Sequence, residues 1–194
     1  MNIAIIKYNA GNIMSVEFAL NRLGVNCVVT DDFEIIKKAD KVIFPGVGEA
    51  STTMAFLRER KFDVLIKDLK QPVLGICLGL QLMCSQTEEG EVACLGIFPE
   101  KVKRFEPKLK VPHMGWNTLS NLKTNLYNSS LENQYVYFVH SFYAELGENT
   151  IATTDYIVPF SSSLHRANFY ATQFHPEKSG DIGAKILKNF IDLQ

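Results

Sequence analysis

Through its first half the chain alternates short apolar runs with amphipathic stretches, and no other feature restricts its folding so strongly. Asn2 to Tyr8 is strand-like, and Gly11 to Gly24 follows as a helix whose apolar positions Ile13, Val16, Leu20 and Leu23 recur at helical spacing. Asn12 is the expected cap at the start of this helix and Gly24 the stop at its end. Val25 to Thr30 reads as a second strand, Phe33 to Ala39 as a short helix, and Lys41-Val42-Ile43-Phe44-Pro45 as a third strand. Helical character returns from about Ser51 to Lys61 and again ahead of Pro72, before the apolar Pro72-Val73-Leu74. Parallel strands need long crossovers, which helices supply. This order therefore predicts an α/β fold of three layers, a mainly parallel central sheet with helices on both faces. In such sheets ligands bind beyond the carboxyl ends of the strands.

From Gly90 to Tyr170 the pattern changes. Lys101 to Phe105, Tyr135 to Tyr143 and Thr150 to Tyr156 are rich in β-branched and aromatic residues and are broken by Gly, Pro and Asn, which predicts additional, partly antiparallel strands in the second half. A last helix follows Gly180, with Ile182, Ile186, Leu187, Phe190 and Ile191 along one side. There is no internal repeat or linker, so residues 1–194 read as a single domain, long enough to bury a sizeable core.

The apolar run Pro72-Val73-Leu74 leads through Gly75-Ile76-Cys77-Leu78-Gly79 directly into the helical Leu80-Gln81-Leu82-Met83-Cys84. A strand that enters a helix through Gly-x-Cys-x-Gly has the layout of a nucleophile elbow, with sulfur in place of serine oxygen. The glycines relieve a turn too tight for side chains beside the nucleophile. The helix directs unpaired N–H groups and its positive end at the sulfur, a setting that favours thiolate. A core cysteine between two glycines is the inert alternative. Cys27, in Val25 to Val29, is expected in the core, and Cys84 on a packed helix face.

A second element weighs for chemistry. Near the C-terminus an apolar strand delivers His175-Pro176-Glu177, and Pro176 restricts how the carboxylate lies against the imidazole. A thiol nucleophile needs a base, and the base needs a group to hold its tautomer; Cys77, His175 and Glu177 fill these roles. Gly46-Val47-Gly48, at a strand end, lacks the third glycine of a dinucleotide loop, because Ser51 stands there. It is open to two readings. One is a plain turn; the other is a backbone that offers N–H groups, with that of Leu78, to an oxyanion.

Composition excludes other classes. A net charge of −1 provides no field for nucleic acid or an anionic membrane surface, and no apolar run is long enough to span a bilayer. The four cysteines show neither zinc spacing nor a CxxC pair, so no metal is expected and a reducing, cytoplasmic compartment suits them. No cofactor motif is present.

With these residues in view the chain resembles class I glutamine amidotransferases and, among them, the glutaminase subunits of imidazole glycerol phosphate synthase. The likeness is carried by Gly11-Asn12, Pro45 to Gly48, Gly75 to Leu82, Lys110-Val111-Pro112-His113-Met114-Gly115-Trp116-Asn117, Tyr137 to Ser141, and Gln173 to Gly180. It implies that Cys77 forms a γ-glutamyl thioester, that His175 moves protons and that Glu177 orients it. It further implies that Gly46, Val47, Gly48 and Leu78 bind the oxyanion, and that Gly48, Gln81, Ser141 and Phe142 hold glutamine. Ammonia would pass into a cyclase subunit of (β/α)8-barrel fold, the two forming a heterodimer that makes imidazole glycerol phosphate and AICAR in histidine biosynthesis. Asn12, Met114, Trp116, Asn117, Tyr137 and Lys178 match family positions at the docking face, although Trp116 and Tyr137 also read as ordinary core aromatics. The chain departs from the family at Lys7, Asn9, Glu49, Phe142 and Ile157. A paralogue feeding a sugar amidotransferase of surface polysaccharide synthesis, or a stand-alone Cys hydrolase, are the competing readings. The Val-Pro-His-Met-Gly-Trp-Asn segment counts against the second of these.

Overall fold

The computed structural model describes residues 1–8 and 11–193; the departure at Asn9 lies outside them. Strands β1 (Ile3–Ile6), β2 (Cys27–Thr30), β3 (Lys41–Phe44) and β4 (Val73–Ile76) alternate with helices α1 (Ile13–Arg22), α2 (Phe33–Lys38), α3 (Ala50–Glu59), α4 (Phe62–Asp68) and α5 (Leu78–Met83). Then come β5 (Gln86–Thr87), β6 (Val92–Ala93), β7 (Lys101–Arg104), β8 (His113–Thr118), β9 (Tyr135–His140), β10 (Phe142–Ala144), β11 (Thr150–Tyr156), β12 (Val158–Arg166), β13 (Phe169–Thr172) and α6 (Gly180–Asp192). One sheet runs in the order β2-β1-β3-β4-β13-β12-β10-β7-β5-β6, with β11 paired to β12. From β2 to β13 every pairing is parallel; from β13 onward antiparallel pairing dominates. Strands β8 and β9 form a separate antiparallel ribbon.

The apolar runs are continuous because the parallel strands are covered on both faces. In β1, Ala4 and Ile6 face a core shared with α2, α3, α4 and α5, while Ile3 and Ile5 face a core closed by α1 and α6. Each Ile so buried contributes roughly 1.5–3 kcal/mol relative to exposure, before the entropy of ordering it. Ile186, Leu187, Phe190 and Ile191 of α6 lie in the second core, as their spacing predicts. Among the described residues no helix is long and apolar enough to cross a membrane.

Several expectations need correction. Asn12 precedes α1 but adopts φ 69° and makes no side-chain cap bond, so its amide is free for another use. Cys27 is only half-buried, because β2 is the edge of the sheet. The stretch from Tyr135 to Tyr143 divides at Ser141 into β9 of the ribbon and β10 of the main sheet. The middle of the nine-residue β12, Phe160 to Leu164, is buried although it carries Ser161, Ser162 and Ser163. Two family departures gain a physical account. Glu49 caps α3, accepting the Ser51 and Thr52 N–H groups. Ile157 turns β11 into β12 at φ 59°, a left-handed conformation strained for a β-branched side chain.

Candidate active site

Strands β4 and β13 pair in parallel from Val73 against Phe169 to Ile76 against Thr172, and their carboxyl ends carry the two halves of the site. Cys77 stands at the turn between β4 and α5 with φ 54° and ψ −104°, a strained backbone for any residue but glycine. Its neighbours fix it there. The Cys77 N–H donates to the Thr172 carbonyl at 2.7 Å. At Gly79 a Cβ would stand 2.1 Å from the Phe44 carbonyl oxygen, so only glycine lets α5 start so close to β3. These are the physical features of a nucleophile elbow.

His175 follows β13 by three residues and opens a tight turn over Pro176–Lys178. Its Nδ1 donates to Glu177 Oε1 at 2.8 Å, with both side chains fully buried. Its N–H donates to the Tyr137 carbonyl at 2.9 Å, and Ser179 Oγ braces the turn by donating to the His175 carbonyl at 2.6 Å while accepting the Tyr137 N–H at 3.0 Å. Burial alone would lower the imidazole's pKa. Contact with Cys77 and Glu177 outweighs that, so His175 is raised to about 10. The sulfur acts on the ring although Nε2 has no hydrogen bond of normal geometry. Catalytic hydrogen bonds commonly tighten only when substrate is bound. Asn12 completes this side: its amide donates to Glu177 Oε1 and lies 3.5 Å from His175 Nδ1.

A cavity of about 370 Å³ opens over Cys77 and gathers Val47, Gly48, Leu78, Gln81, Ser141 and Phe142. Gln81 Nε2 donates to the Phe142 carbonyl at 3.0 Å and to Gln173 Oε1 at 3.1 Å, while Gln173 Nε2 lies 3.7 Å from Cys77 Sγ. Gly48 takes φ 137°, which suits glycine alone. The Leu78 N–H, expected to face an oxyanion, donates to the Gly46 carbonyl at 3.2 Å. Glu89 also lines the cavity and is not among the residues singled out from the sequence, where it stands beside Glu88 and Glu91. Burial raises its pKa, the Ala50 N–H that it accepts at 2.9 Å lowers it, and the charge of Glu49 adds to the rise. Another cavity, of about 340 Å³, lies at the amino ends of β1 and β2, beside Asn2 and Cys27. Among the described residues no three His, Cys, Asp or Glu side chains gather as a metal site would require.

A family described as Glutamine amidotransferase class-I matches residues 5–193. The chain belongs to the class I glutamine amidotransferase family. Its relatives include proteins named imidazole glycerol phosphate synthase subunit HisH. That of Bacteroides fragilis is 63% identical with both chains fully covered, and that of Idiomarina loihiensis is 46% identical over all of this chain and 98% of the relative. Among solved structures, a GMP synthase subunit protein from Thermoplasma acidophilum has the same fold, with a TM-score of 0.76 at 22% identity over 98% of this chain and 92% of the other. PurLQS from Thermotoga maritima matches with a TM-score of 0.70 at 14% identity over 98% and 97%.

In this class I amidotransferase the residues expected at a docking face separate into two groups. Met114 and Trp116 are 57% and 55% exposed on the outer face of the β8–β9 ribbon, where Trp116 meets Tyr137 edge-on at 5.9 Å; neither tryptophan nor tyrosine is a core aromatic. Lys178 is exposed, next to Glu177 in the chain. Asn117 belongs to the ribbon's other face, with its amide donating to the Asp155 carbonyl at 3.0 Å. Asn12 is held by Glu177.

Proposed function

We propose that this chain is the glutaminase subunit of an imidazole glycerol phosphate synthase. It hydrolyses glutamine to glutamate and ammonia and delivers the ammonia to a (β/α)8-barrel cyclase subunit in histidine biosynthesis. The whole chain, residues 1–194, acts as one amidotransferase domain. The observation that carries the reading is the strained Cys77 elbow, which lines a cavity of amino-acid size and meets the buried His175–Glu177 pair. The names and identities of the relatives support the pathway.

In this reading Cys77 Sγ attacks the side-chain amide carbon of glutamine. His175 Nε2 gives its proton to the departing nitrogen, the C–N bond breaks, and ammonia leaves a γ-glutamyl thioester. Water then attacks the same carbon, passes its proton to His175, and the C–S bond breaks to release glutamate. Glu177 keeps Nδ1 protonated and so directs Nε2 at the reacting atoms. Gly48, Gln81, Ser141 and Phe142 hold the substrate, and Glu89 is the carboxylate available to its α-ammonium group. The Gly46 carbonyl occupies the Leu78 N–H. An oxyanion can be bound only after the Gly46–Val47 peptide turns, which exchanges that carbonyl for the Val47 N–H. In this reading that rotation is the step at which a docked partner would switch hydrolysis on. Direct delivery matters because ammonia released into neutral water becomes ammonium, which is no nucleophile.

Cys77→Ala in the complex should abolish glutamine hydrolysis and leave the far-UV and near-UV circular dichroism unchanged; retained hydrolysis rejects the nucleophile. Ammonia transfer from glutamine to the cyclase substrate, assayed with co-purified partner, tests the pathway.

A further inference from the structure

Strands β8 and β9 place His113 directly opposite His140, on the ribbon face turned away from Met114 and Trp116. Both are almost completely buried, in an aromatic nest where His113 stacks on Phe138 and Tyr156 with ring centroids 4.8 and 4.0 Å away. His113 Nδ1 lies 3.0 Å from His140 Nε2, and His140 Nδ1 lies 2.7 Å from the Phe142 carbonyl oxygen. A carbonyl only accepts, so His140 Nδ1 carries a hydrogen. Burial holds both rings neutral at physiological pH, with pKa values lowered to about 3 for His140 and about 4 for His113. His140 Nε2 is therefore an acceptor, and His113 Nδ1 must donate to it. That leaves His113 Nε2 to accept, and the Asn117 amide stands 3.4 Å from it. Each proton follows from the one before, and the direction of the whole chain is determined.

The chain ends where the glutamine pocket begins. The Phe142 carbonyl that receives the His140 N–H also receives Gln81 Nε2, and the second hydrogen of that nitrogen goes to Gln173, beside Cys77 Sγ. With both Nε2 hydrogens committed, Gln81 Oε1 is the group left for the substrate. We propose that His113 and His140 are positioning residues: as a tautomer-locked pair they fix the Phe142 carbonyl, and through it the orientation of the Gln81 amide that holds the substrate. The inference rests on the glutaminase reading above and adds to it two residues of the ribbon, His140 at the wall of the glutamine cavity and His113 behind it.

The test compares His113→Phe, which keeps the stacked ring and loses the donor, with His113→Asn, whose amide nitrogen falls near the Nδ1 position. In the complex with the partner subunit, His113→Phe should raise KM for glutamine about tenfold with kcat changed by less than about threefold, and His113→Asn should recover most of the loss. Labelling of Cys77 by iodoacetamide, which has no use for Gln81, should keep its rate within about twofold. Long-range ¹H–¹⁵N spectra of the wild-type chain should show both rings as Nδ1–H tautomers. An unchanged KM in folded His113→Phe, an Asn variant no better than the Phe variant, or an Nε2–H tautomer at either ring would overturn the proposal. If His113→Phe does not fold, the tautomers and the Asn variant's KM decide it. A wild-type complex without glutamine hydrolysis would sink the glutaminase reading instead, and the tautomer spectra would still report on the pair.

Discussion

Glu177→Gln removes one charge from the site and keeps its shape. In the native protein the carboxylate receives His175 Nδ1 at 2.8 Å, with both groups out of water. With charge centres about 4 Å apart and an effective dielectric of about 20, the attraction is worth about 4 kcal/mol. At 1.36 kcal/mol per pKa unit that is about three units. The His175 pKa, raised to about 10 in the native site, should therefore return toward 7 in the variant. The thiolate–imidazolium form is the competent one, so the alkaline limb of kcat/KM should move down by up to about three pH units. The same proton is linked to folding. A histidine raised above its unfolded value of about 6.5 contributes stability that is complete below that pH and is lost as pH rises through the folded value. Wild-type stability should thus decline between pH 6.5 and 10, and the variant's decline should be much smaller. The assays are steady-state glutaminase kinetics of the complex across pH, urea unfolding at the same pH values, and NMR titration of the His175 ring. Coincidence of the two alkaline limbs within about half a unit would refute the assignment of Glu177 as a charge that, together with Cys77, holds His175 protonated.

Gly79→Ala drives a Cβ into the Phe44 carbonyl and should lower urea stability by about 1–3 kcal/mol or more, with loss of Cys77 reactivity; wild-type behaviour would show that α5 can retreat from β3. Asn12→Ala removes a hydrogen bond to Glu177 and should lower kcat about tenfold without altering KM, read by the same kinetics. His113 and His140, depressed by burial, resist protonation that the unfolded chain accepts below about pH 6.5. Stability should fall as pH drops from 6.5 toward 4, and replacing His113 by asparagine should flatten that fall in urea titrations. Trp116→Ala should weaken partner binding about 30-fold or more by calorimetry, as expected of an exposed aromatic anchor, with Cys77 labelling of the isolated chain unchanged.

The fold's first half was legible because burial on both sheet faces writes itself as unbroken apolar runs such as Ile3–Ile6, and because helices between them force parallel pairing. The candidate nucleophile Cys77 was legible for a related reason: an elbow needs glycines, and Gly75 and Gly79 announce it. β12 escaped because its serines look solvent-facing, yet Ser161 and Ser163 satisfy their hydroxyls on the Glu145 and Ala171 carbonyls and so can be buried. Asn12 misled through a local rule: its left-handed backbone turns the amide from the helix toward a carboxylate 165 residues away, a contact that no window of sequence contains. Glu89 was hidden among neighbouring acids, and only the Ala50 N–H distinguishes it. The division of Tyr135–Tyr143 depends on the chain changing sheets at Ser141, which alternation of residue types does not record.

Strand β9 has consequences for how this protein can change over time. Its main-chain carbonyls at Tyr137 and Val139 meet His175 and Cys77, the Tyr137 ring faces outward beside Trp116, and His140 faces inward. Inserting or deleting one residue there would invert every side chain and shift every carbonyl together. A substitution at Tyr137, whose ring faces outward, leaves these main-chain contacts in place, but the length of the strand is locked. Lineages that acquired a different ammonia acceptor should therefore diverge in the outward lettering of β9 and carry their insertions elsewhere.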